Sequence, residues 1–159
     1  MKEVTIYTDG SCLNNGQPDA PGGWAAVLIG KKNSREIHAS AVGATNNRME
    51  LQAVIESLKY LTEPCDVTIV TDSEYAISAL TKVDAYEQMG WGCHELARAK
   101  NKDLLQEYLT VRTKKGHKIR FQYVRSHSGN AFNERADALA QAEARAAQAM
   151  QRIQVIEDA

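Results

Sequence analysis

Four acidic side chains are the residues of this sequence best placed to do chemistry together. Asp9 and Asp72 each end a run of β-branched and aromatic residues, which is typical of a strand. Glu50 and Asp137 lie in the predicted first turns of two helices. Four carboxylates at one place would repel one another and raise their own pKa values unless cations neutralised them. A ligand set made only of oxygen suits Mg²⁺ or Mn²⁺ rather than zinc.

Each acid also has a purely structural explanation. Asp72 directly precedes a predicted helix and could be its N-cap. Glu50 comes three residues after Asn47, as in a capping box, and the helix dipole favours an acid such as Asp137 in a first turn. Asp9 is the hardest to explain in this way, because it ends a predicted central strand. The metal-site interpretation therefore depends on whether the four acids converge.

The hydrophobic pattern predicts an α/β protein with elements in the order β-β-β-α-β-α-α-β-α. Short connections join the first three strands, which indicates an antiparallel meander, and helical crossovers then add two parallel strands. The expected fold is a five-stranded mixed sheet with helices packed on both faces. Strands are predicted to end at Asp9 and to span 24–29, 35–42, 67–71 and 118–124, with helices at 47–61, 73–80, 103–112 and from about 133 to about 150. If the strands that end at Asp9 and Asp72 are neighbours, their carboxylates lie side by side.

Size and composition limit the remaining possibilities. A chain of 159 residues with 43% hydrophobic and 25% charged residues is expected to form one domain. Its net charge of −1 gives no global attraction to polyanions, so any such attraction must be local or come from bound cations. No segment is long and apolar enough to span a membrane, and no secretory signal is recognisable. Three cysteines without metal-type spacing fit a reducing cytoplasm.

The motifs resemble those of one family, type 1 ribonuclease H of the bacterial type. The matching segments, which agree in order and spacing from Met1 to about Ala142, are Thr8–Cys12, Thr45–Leu51, Thr71–Ser73, His127–Gly129 and Asn133–Asp137. The resemblance implies a ribonuclease H-like fold and an endonuclease that hydrolyses the RNA strand of RNA–DNA hybrids. It also implies products with 5′-phosphate and 3′-hydroxyl ends, and two Mg²⁺ ions, for which Mn²⁺ could substitute.

The same resemblance assigns roles to five side chains. Asp9 would bridge two cations, Glu50 and Asp72 would hold one of them, and Asp137 would hold the cation that activates water. His127 would move a proton or assist product release, since the unperturbed pKa of histidine lies near neutrality. An ordinary solvated loop histidine is the alternative for His127.

Five further residues are predicted to contact the hybrid. By resemblance, Asn15, Asn47 and Glu74 lie where the family contacts the minor groove, and Thr45 and Asn101 where it holds a phosphate of the DNA strand. Turn and cap chemistry explains Asn15 and Asn47 nearly as well. Glu74 replaces a usual glutamine, and phosphates would repel its charge.

Two segments depart from the family pattern or extend beyond it. The region 82–103, where well-studied bacterial members carry a basic protrusion, is neutral: Lys82, Arg98, Lys100 and Lys102 are balanced by Asp84, Glu87, Glu95 and Asp103. We divide the chain into a catalytic domain, 1–142, and a C-terminal helical extension of unknown role, 143–159. Without the basic protrusion or an added hybrid-binding domain, we expect modest, salt-sensitive affinity and little processivity.

Two smaller features are also of interest. Ser126 stands where the family usually has glycine, which would stiffen the loop of His127. A basic run lies near the predicted last strand and is best explained as a solvated edge that resists aggregation; it comprises Arg112, Lys114, Lys115, Lys118, Arg120 and Arg125.

Three functions remain open from the sequence, and the first is a hybrid-specific ribonuclease. We expect it to be a cytoplasmic monomer with no membrane association and no obligate protein partner. A non-catalytic nucleic-acid-binding module on the same fold is the second, and the intact set of four acids argues against it. A phosphotransferase is the third, because Asp-Gly-Ser after a strand resembles the ATP-binding loop of the actin and sugar-kinase fold. That fold needs two such domains.

Overall fold

The structure, a computed structural model, describes residues 1–92 and 101–158. The described strands are β1 (Lys2–Cys12), β2 (Pro21–Ile29), β3 (Ser34–Val42), β4 (Cys65–Thr71) and β5 (Lys118–Tyr123). The described helices are α1 (Asn46–Tyr60), α2 (Glu74–Leu80), α3 (Val83–Gln88), α4 (Lys102–Lys115) and α5 (Ala131–Asp158). No helix in these ranges is both long and apolar enough to cross a membrane.

The five strands form one sheet in the order β3-β2-β1-β4-β5. β2 pairs antiparallel with both β1 and β3, whereas β4 is parallel to β1 and to β5. The predicted meander followed by two parallel strands is therefore confirmed. β1 lies in the middle of the sheet, between an antiparallel and a parallel neighbour.

Two adjacent glycines of β2 show that helices cover both faces of the sheet. A Cβ atom at Gly22 would press against Met49 of α1, whereas one at Gly23 would overlap Ala140 and Ala144 of α5. Successive strand residues point to opposite faces, so α1 and α5 lie on opposite sides. The prediction of helices on both faces is confirmed.

The helical spacing in the second motif corresponds to a fully buried face of α1. Its inward side chains Leu51, Val54, Ile55 and Leu58 have no exposed surface, and they pack in one cluster with Ile6, Val67 and Ile69 of the sheet. This helix begins at Asn46, where Thr45 is its N-cap and accepts a hydrogen bond from the Arg48 backbone N–H at 3.1 Å. The core thus fixes α1 across the centre of the sheet.

β1 is longer than the sequence predicts. We expected it to end at Asp9, with a turn at Gly10, but it continues to Cys12 because β2 provides a partner for each residue. Gly10 pairs with Trp24 and Cys12 with Gly22. The predicted turn is wrong, and Asp9 lies within the strand.

The last helix also exceeds its prediction at both ends. It begins at Ala131 rather than near Asn133, because the Asn130 side-chain oxygen accepts a hydrogen bond from the Asn133 backbone N–H at 3.0 Å. It then runs to Asp158, beyond the predicted end near Met150.

The boundary that we place at residue 142 falls inside this helix. Beyond it, Glu143 still bonds to His38 and Ser40 of β3, and Ala144 and Ala147 are buried. The side of α5 that packs on the sheet therefore continues through Ala147.

The charged segments fall partly inside the described residues. β5 is an outermost strand of the described sheet, as the basic run predicts, and two residues of that run pair with acids: Arg112 with Asp84 and Arg120 with Asp66. The prediction that 82–103 is neutral includes residues 93–100, which lie outside the described residues. Cys93 is among them, whereas Cys12 and Cys65 are free thiols.

Candidate active site

The register of the two central parallel strands brings Asp9 and Asp72 together. Tyr7 of β1 pairs with Val70 of β4, so the residues two positions further along each chain reach the same level. Asp9 remains inside β1, paired with Ala25, while Asp72 immediately follows the end of β4. The predicted adjacency of the two acids is correct.

Glu50 reaches the same place from α1 because Gly10 has no side chain. A Cβ atom at Gly10 would overlap the backbone of Met49 and Glu50, so glycine allows the helix to approach β1 closely. Glu50 lies in the second turn of α1, not in the predicted first turn, and Thr45 rather than Asn47 caps the helix. The capping-box explanation for Glu50 is therefore wrong.

The oxygen atoms of these three carboxylates form a compact cluster. One oxygen from each of Asp9, Glu50 and Asp72 lies within 4.8 Å of the other two. Asp9 is 4% exposed and Glu50 is 9% exposed. Oε2 of Glu50 is buried and has no hydrogen-bond partner among residues 1–92 and 101–158, which is costly for a carboxylate. A cluster of this kind needs a compensating positive charge.

The electrostatics of the cluster support the same conclusion. Burial raises the pKa of Asp9 to about 8, and the nearby Asp72 and Asp137 add to this rise. Burial and the charge of Asp9 hold the pKa of Glu50 well above its usual range. Without cations, the site resists full ionisation.

Asp137 approaches the cluster from α5 but is not within the 4.8 Å group. Asp137 nevertheless contributes to the raised pKa of Asp9, by hydrogen bonding and by charge. Nε2 of Gln141, one turn later, donates to both oxygens of Asp137 at 3.1 and 3.2 Å. Asp137 lies in the second turn, because the helix begins at Ala131.

His127 lies in the exposed loop between β5 and α5. Its φ of 55° is in the left-handed region, which is uncommon for a residue other than glycine. The preceding residue, Ser126, donates a hydrogen bond from its hydroxyl to Oδ2 of Asp72 at 2.6 Å. The loop that carries His127 is thus attached to the acidic cluster.

The predicted hybrid-contacting residues lie around the starts of three helices. Oδ1 of Asn15 accepts a hydrogen bond from the Asn46 backbone N–H at 3.0 Å, which places Asn15 beside α1. Asn47 and Glu74 are exposed in the first turns of α1 and α2. Thr45, not Asn47, is the N-cap of α1, whereas the structural alternative for Asn15 is present in its bond to Asn46.

Asn101 differs from the other four because it is buried and its side chain is occupied. It is 6% exposed, its Nδ2 donates to the Tyr75 hydroxyl at 2.7 Å, and its Oδ1 accepts from Arg48 at 3.3 Å. These bonds connect the starts of α1, α2 and α4.

Two residues near the site were missed by reasoning from the sequence as site components. Gln141 follows Asp137 by four residues in a helix, a spacing at which side chains meet. The contact between these two residues could therefore be predicted from the sequence. The bond from Ser126 to Asp72 depends on the pairing of β4 with β5, for which the sequence had no local signal.

Comparison with known proteins finds relatives over most of the chain. The RNase H family model matches residues 1–145. A ribonuclease H of Oleidesulfovibrio alaskensis is 44% identical over 146 residues, which cover 91% of this chain and 92% of that protein. A ribonuclease H of Polaromonas naphthalenivorans is 43% identical over 140 residues, covering 87% of this chain and 85% of that protein.

A solved structure shares both the fold and detectable sequence identity. LC9-RNase H1, described as a type 1 RNase H with the type 2 active-site motif, has a TM-score of 0.81 and 31% identity, over 92% of this chain and 74% of that one. Together with the mixed sheet, these similarities define a nuclease, a hydrolase of phosphodiester bonds. The chain belongs to the RNase H family.

Proposed function

We propose that this protein is an endonuclease that hydrolyses the RNA strand of RNA–DNA hybrids with two divalent cations, leaving 5′-phosphate and 3′-hydroxyl ends. The observation that carries the proposal is the cluster of Asp9, Glu50 and Asp72, whose oxygens lie within 4.8 Å of one another. Mg²⁺ is the expected cation, since the donor set contains only carboxylate oxygens.

The residues present fit a bound cation. Among the described residues, the buried Oε2 of Glu50 has no hydrogen-bond partner, and a bound metal would give it a positively charged neighbour. A bound cation would also favour the ionised forms of Asp9 and Glu50, whose pKa values are raised without it. Asp9, Glu50 and Asp72 would hold the metal, with Asp137 beside Asp9 available for a second ion.

The protein's own groups have distinct tasks in this proposal. When bound, the cations would neutralise the carboxylates and favour attack of water on the anionic phosphodiester. Asp9, fixed within β1, and Glu50, fixed by the packing of α1, keep their oxygens in place with little reorganisation. An imidazole nitrogen of His127 accepts or delivers a proton at the edge of the site.

The hybrid would lie along the starts of α1, α2 and α4. Asn15, Asn47 and Glu74 would face the minor groove, where hydroxyl groups distinguish RNA from DNA. Thr45 and Asn101 would be close to a phosphate of the DNA strand. The Asn101 contacts with Tyr75 and Arg48 hold the three helix starts together beside this proposed surface.

The remaining assignments concern the whole protein. We propose a cytoplasmic monomer that needs no other protein for activity, with residues 1–142 as the catalytic domain and 143–159 as an extension. The net charge of −1 gives no global attraction to a polyanion, so the Kd for a hybrid should rise with salt, with a slope that reflects few phosphate contacts. Binding measured at several salt concentrations tests this expectation.

A cleavage assay tests the function directly. A hybrid with labelled RNA is incubated with Mg²⁺ and wild-type protein, beside double-stranded RNA and double-stranded DNA. We expect cleavage of the RNA strand of the hybrid and none of the other duplexes. Asp9→Asn should abolish cleavage, whereas Asp19→Asn, which changes an exposed acid in a loop, should leave it intact.

Two results would contradict the proposal. Binding of the hybrid without cleavage would favour the non-catalytic module, and full activity of Asp9→Asn would remove Asp9 from the mechanism. Analysis of the product ends separates the proposed chemistry from one that leaves a 3′-phosphate.

A further inference from the structure

The Ser126 hydroxyl is held close to the acidic cluster by the sheet. Strands β4 and β5 are paired up to Thr71 and Tyr123, and the Val124 backbone N–H donates to the Thr71 carbonyl at 3.0 Å. Ser126 follows two residues later, and its Oγ donates to Oδ2 of Asp72 at 2.6 Å. Both ends of this hydrogen bond therefore lie within two residues of paired backbone.

We propose that Ser126 is a positioning residue for the metal site, acting through Asp72. The Asp72 side chain is half-buried, so packing alone leaves it some freedom to rotate. A carboxylate can accept about four hydrogen bonds or metal contacts, so one hydroxyl restricts its rotation and still leaves lone pairs for a cation. Partners of this kind orient metal-binding carboxylates in many proteins.

The same hydrogen bond connects Asp72 with the loop that carries His127. Ser128 donates to the Arg125 carbonyl at 2.6 Å, which folds the loop on itself, but this bond does not reach the cluster. Among the described residues of this loop, Ser126 is thus the one whose side chain bonds to the acidic cluster. Glycine, the residue of the type 1 pattern at this position, has no hydroxyl and could not make this contact.

The inference rests on the proposed function, so its test includes a measurement without nucleic acid. The rise of Tm during titration with MnCl₂ gives an apparent Kd for the metal in wild type, Ser126→Ala and Ser126→Thr. Ser126→Ala should weaken metal binding about tenfold, in the range found for partners of metal ligands. Ser126→Thr keeps the hydroxyl and should restore most of the affinity.

Two further readouts separate positioning from general stability. In metal-free protein, Ser126→Ala should increase amide exchange in residues 125–130 while leaving Tm nearly unchanged, because the residue is exposed. In the cleavage assay, kcat should fall and the KM for the hybrid should stay constant. Ser128→Ala is the matched control. It removes a hydroxyl group from the same loop, but that hydroxyl bonds to the Arg125 carbonyl and not to Asp72.

If the wild-type protein binds Mn²⁺, three results would overturn the inference: an unchanged metal Kd in Ser126→Ala, no restoration in Ser126→Thr, or an equal loss in Ser128→Ala. A wild-type protein with no Tm rise on metal addition would overturn both this inference and the metal site. If wild type binds Mn²⁺ and Ser126→Ala weakens it, but no hybrid is cleaved, then the proposed function fails while the positioning role stands.

Discussion

Strand β4 has a buried polar group at each end, and the two environments differ. Near its start, His117 is 6% exposed, and both ring nitrogens are used: Nδ1 accepts from the Cys65 backbone N–H at 3.1 Å, and Nε2 donates to the Leu58 carbonyl at 3.2 Å. At the other end, Glu50 is 9% exposed beside Asp72, and its Oε2 has no hydrogen-bond partner in the described part of the chain. One buried group is satisfied by the fold and the other is not.

This difference in hydrogen bonding indicates a structural role for His117 and a functional role for Glu50. A satisfied buried polar group joins elements, and here His117 connects the end of α1 to the start of β4. An unsatisfied buried carboxylate destabilises the metal-free protein, and such a group is expected where a ligand completes the site. Substitutions near the start of β4 should therefore reduce stability and spare activity, whereas substitutions at its other end should reduce activity and spare stability.

The largest expected effect is on activity, at Glu50. Glu50→Gln removes a charge from the cluster while keeping the side-chain shape, so hybrid cleavage should fall below detection. The Tm of the metal-free protein should not decrease, because a destabilising buried charge is lost. Glu56→Gln, on the same helix but outside the cluster, is the control and should retain activity. Cleavage by Glu50→Gln at the wild-type rate would remove Glu50 from the site.

The second effect is on stability, at His117. His117→Ala leaves the Cys65 N–H and the Leu58 carbonyl without their partner, which should reduce the free energy of unfolding by about 2 kcal/mol. Cleavage per folded molecule should not change. Urea denaturation measures the loss, and His38→Ala, at a half-exposed histidine paired with Glu143, should cost less than about 1 kcal/mol. Equal losses in the two variants would contradict the comparison.

The third effect is a difference in pH dependence of the metal-free protein. Burial lowers the pKa of His117 below 6.5, so its contribution to stability is full above that pH and is lost as the pH falls further. The pKa of Asp9 is raised from 3.8 to about 8, so its contribution is full at low pH and is lost as the pH rises toward 8. The two ends of β4 should therefore respond to pH in opposite directions.

Thermal unfolding of metal-free variants measures both slopes. Relative to wild type, Asp9→Asn should gain stability on going from about pH 5 to about pH 8, and the gap between wild type and His117→Ala should narrow as the pH falls below about 6. Addition of Mg²⁺ should abolish the gain of Asp9→Asn, since the cation stabilises wild type alone. A pH-independent difference for Asp9→Asn would show that this carboxylate is ionised at no extra cost.

The smallest effect concerns Thr45, which has both a structural and a proposed binding role. Thr45→Ala removes the N-cap of α1 and should cost about 1 kcal/mol, whereas Thr45→Ser keeps the cap. If Thr45 also contacts a phosphate, then Thr45→Ala should raise the KM for the hybrid in conditions where the protein is fully folded. An unchanged KM would leave capping as its role.

Much of the fold and of the candidate site could be predicted from the sequence, because these parts depend on local patterns. The buried face of α1 follows from the spacing of Leu51, Val54 and Leu58, and the parallel crossover places Asp72 beside Asp9. The extension of β1 was not readable, since it depends on a partner strand that begins at Pro21. The role of Gly10 likewise depends on the approach of α1, whereas the sequence indicated a turn.

The parallel register of β1 and β4 also limits where the chain can change length. Asp9 and Asp72 each follow the paired residues Tyr7 and Val70 by two positions, so one residue inserted in β4 would move Asp72 and turn later side chains to the opposite face. An insertion in the turn 30–33, between β2 and β3, would leave both carboxylates where they are. Insertions and deletions in related chains should therefore fall in the connections and spare these two strands.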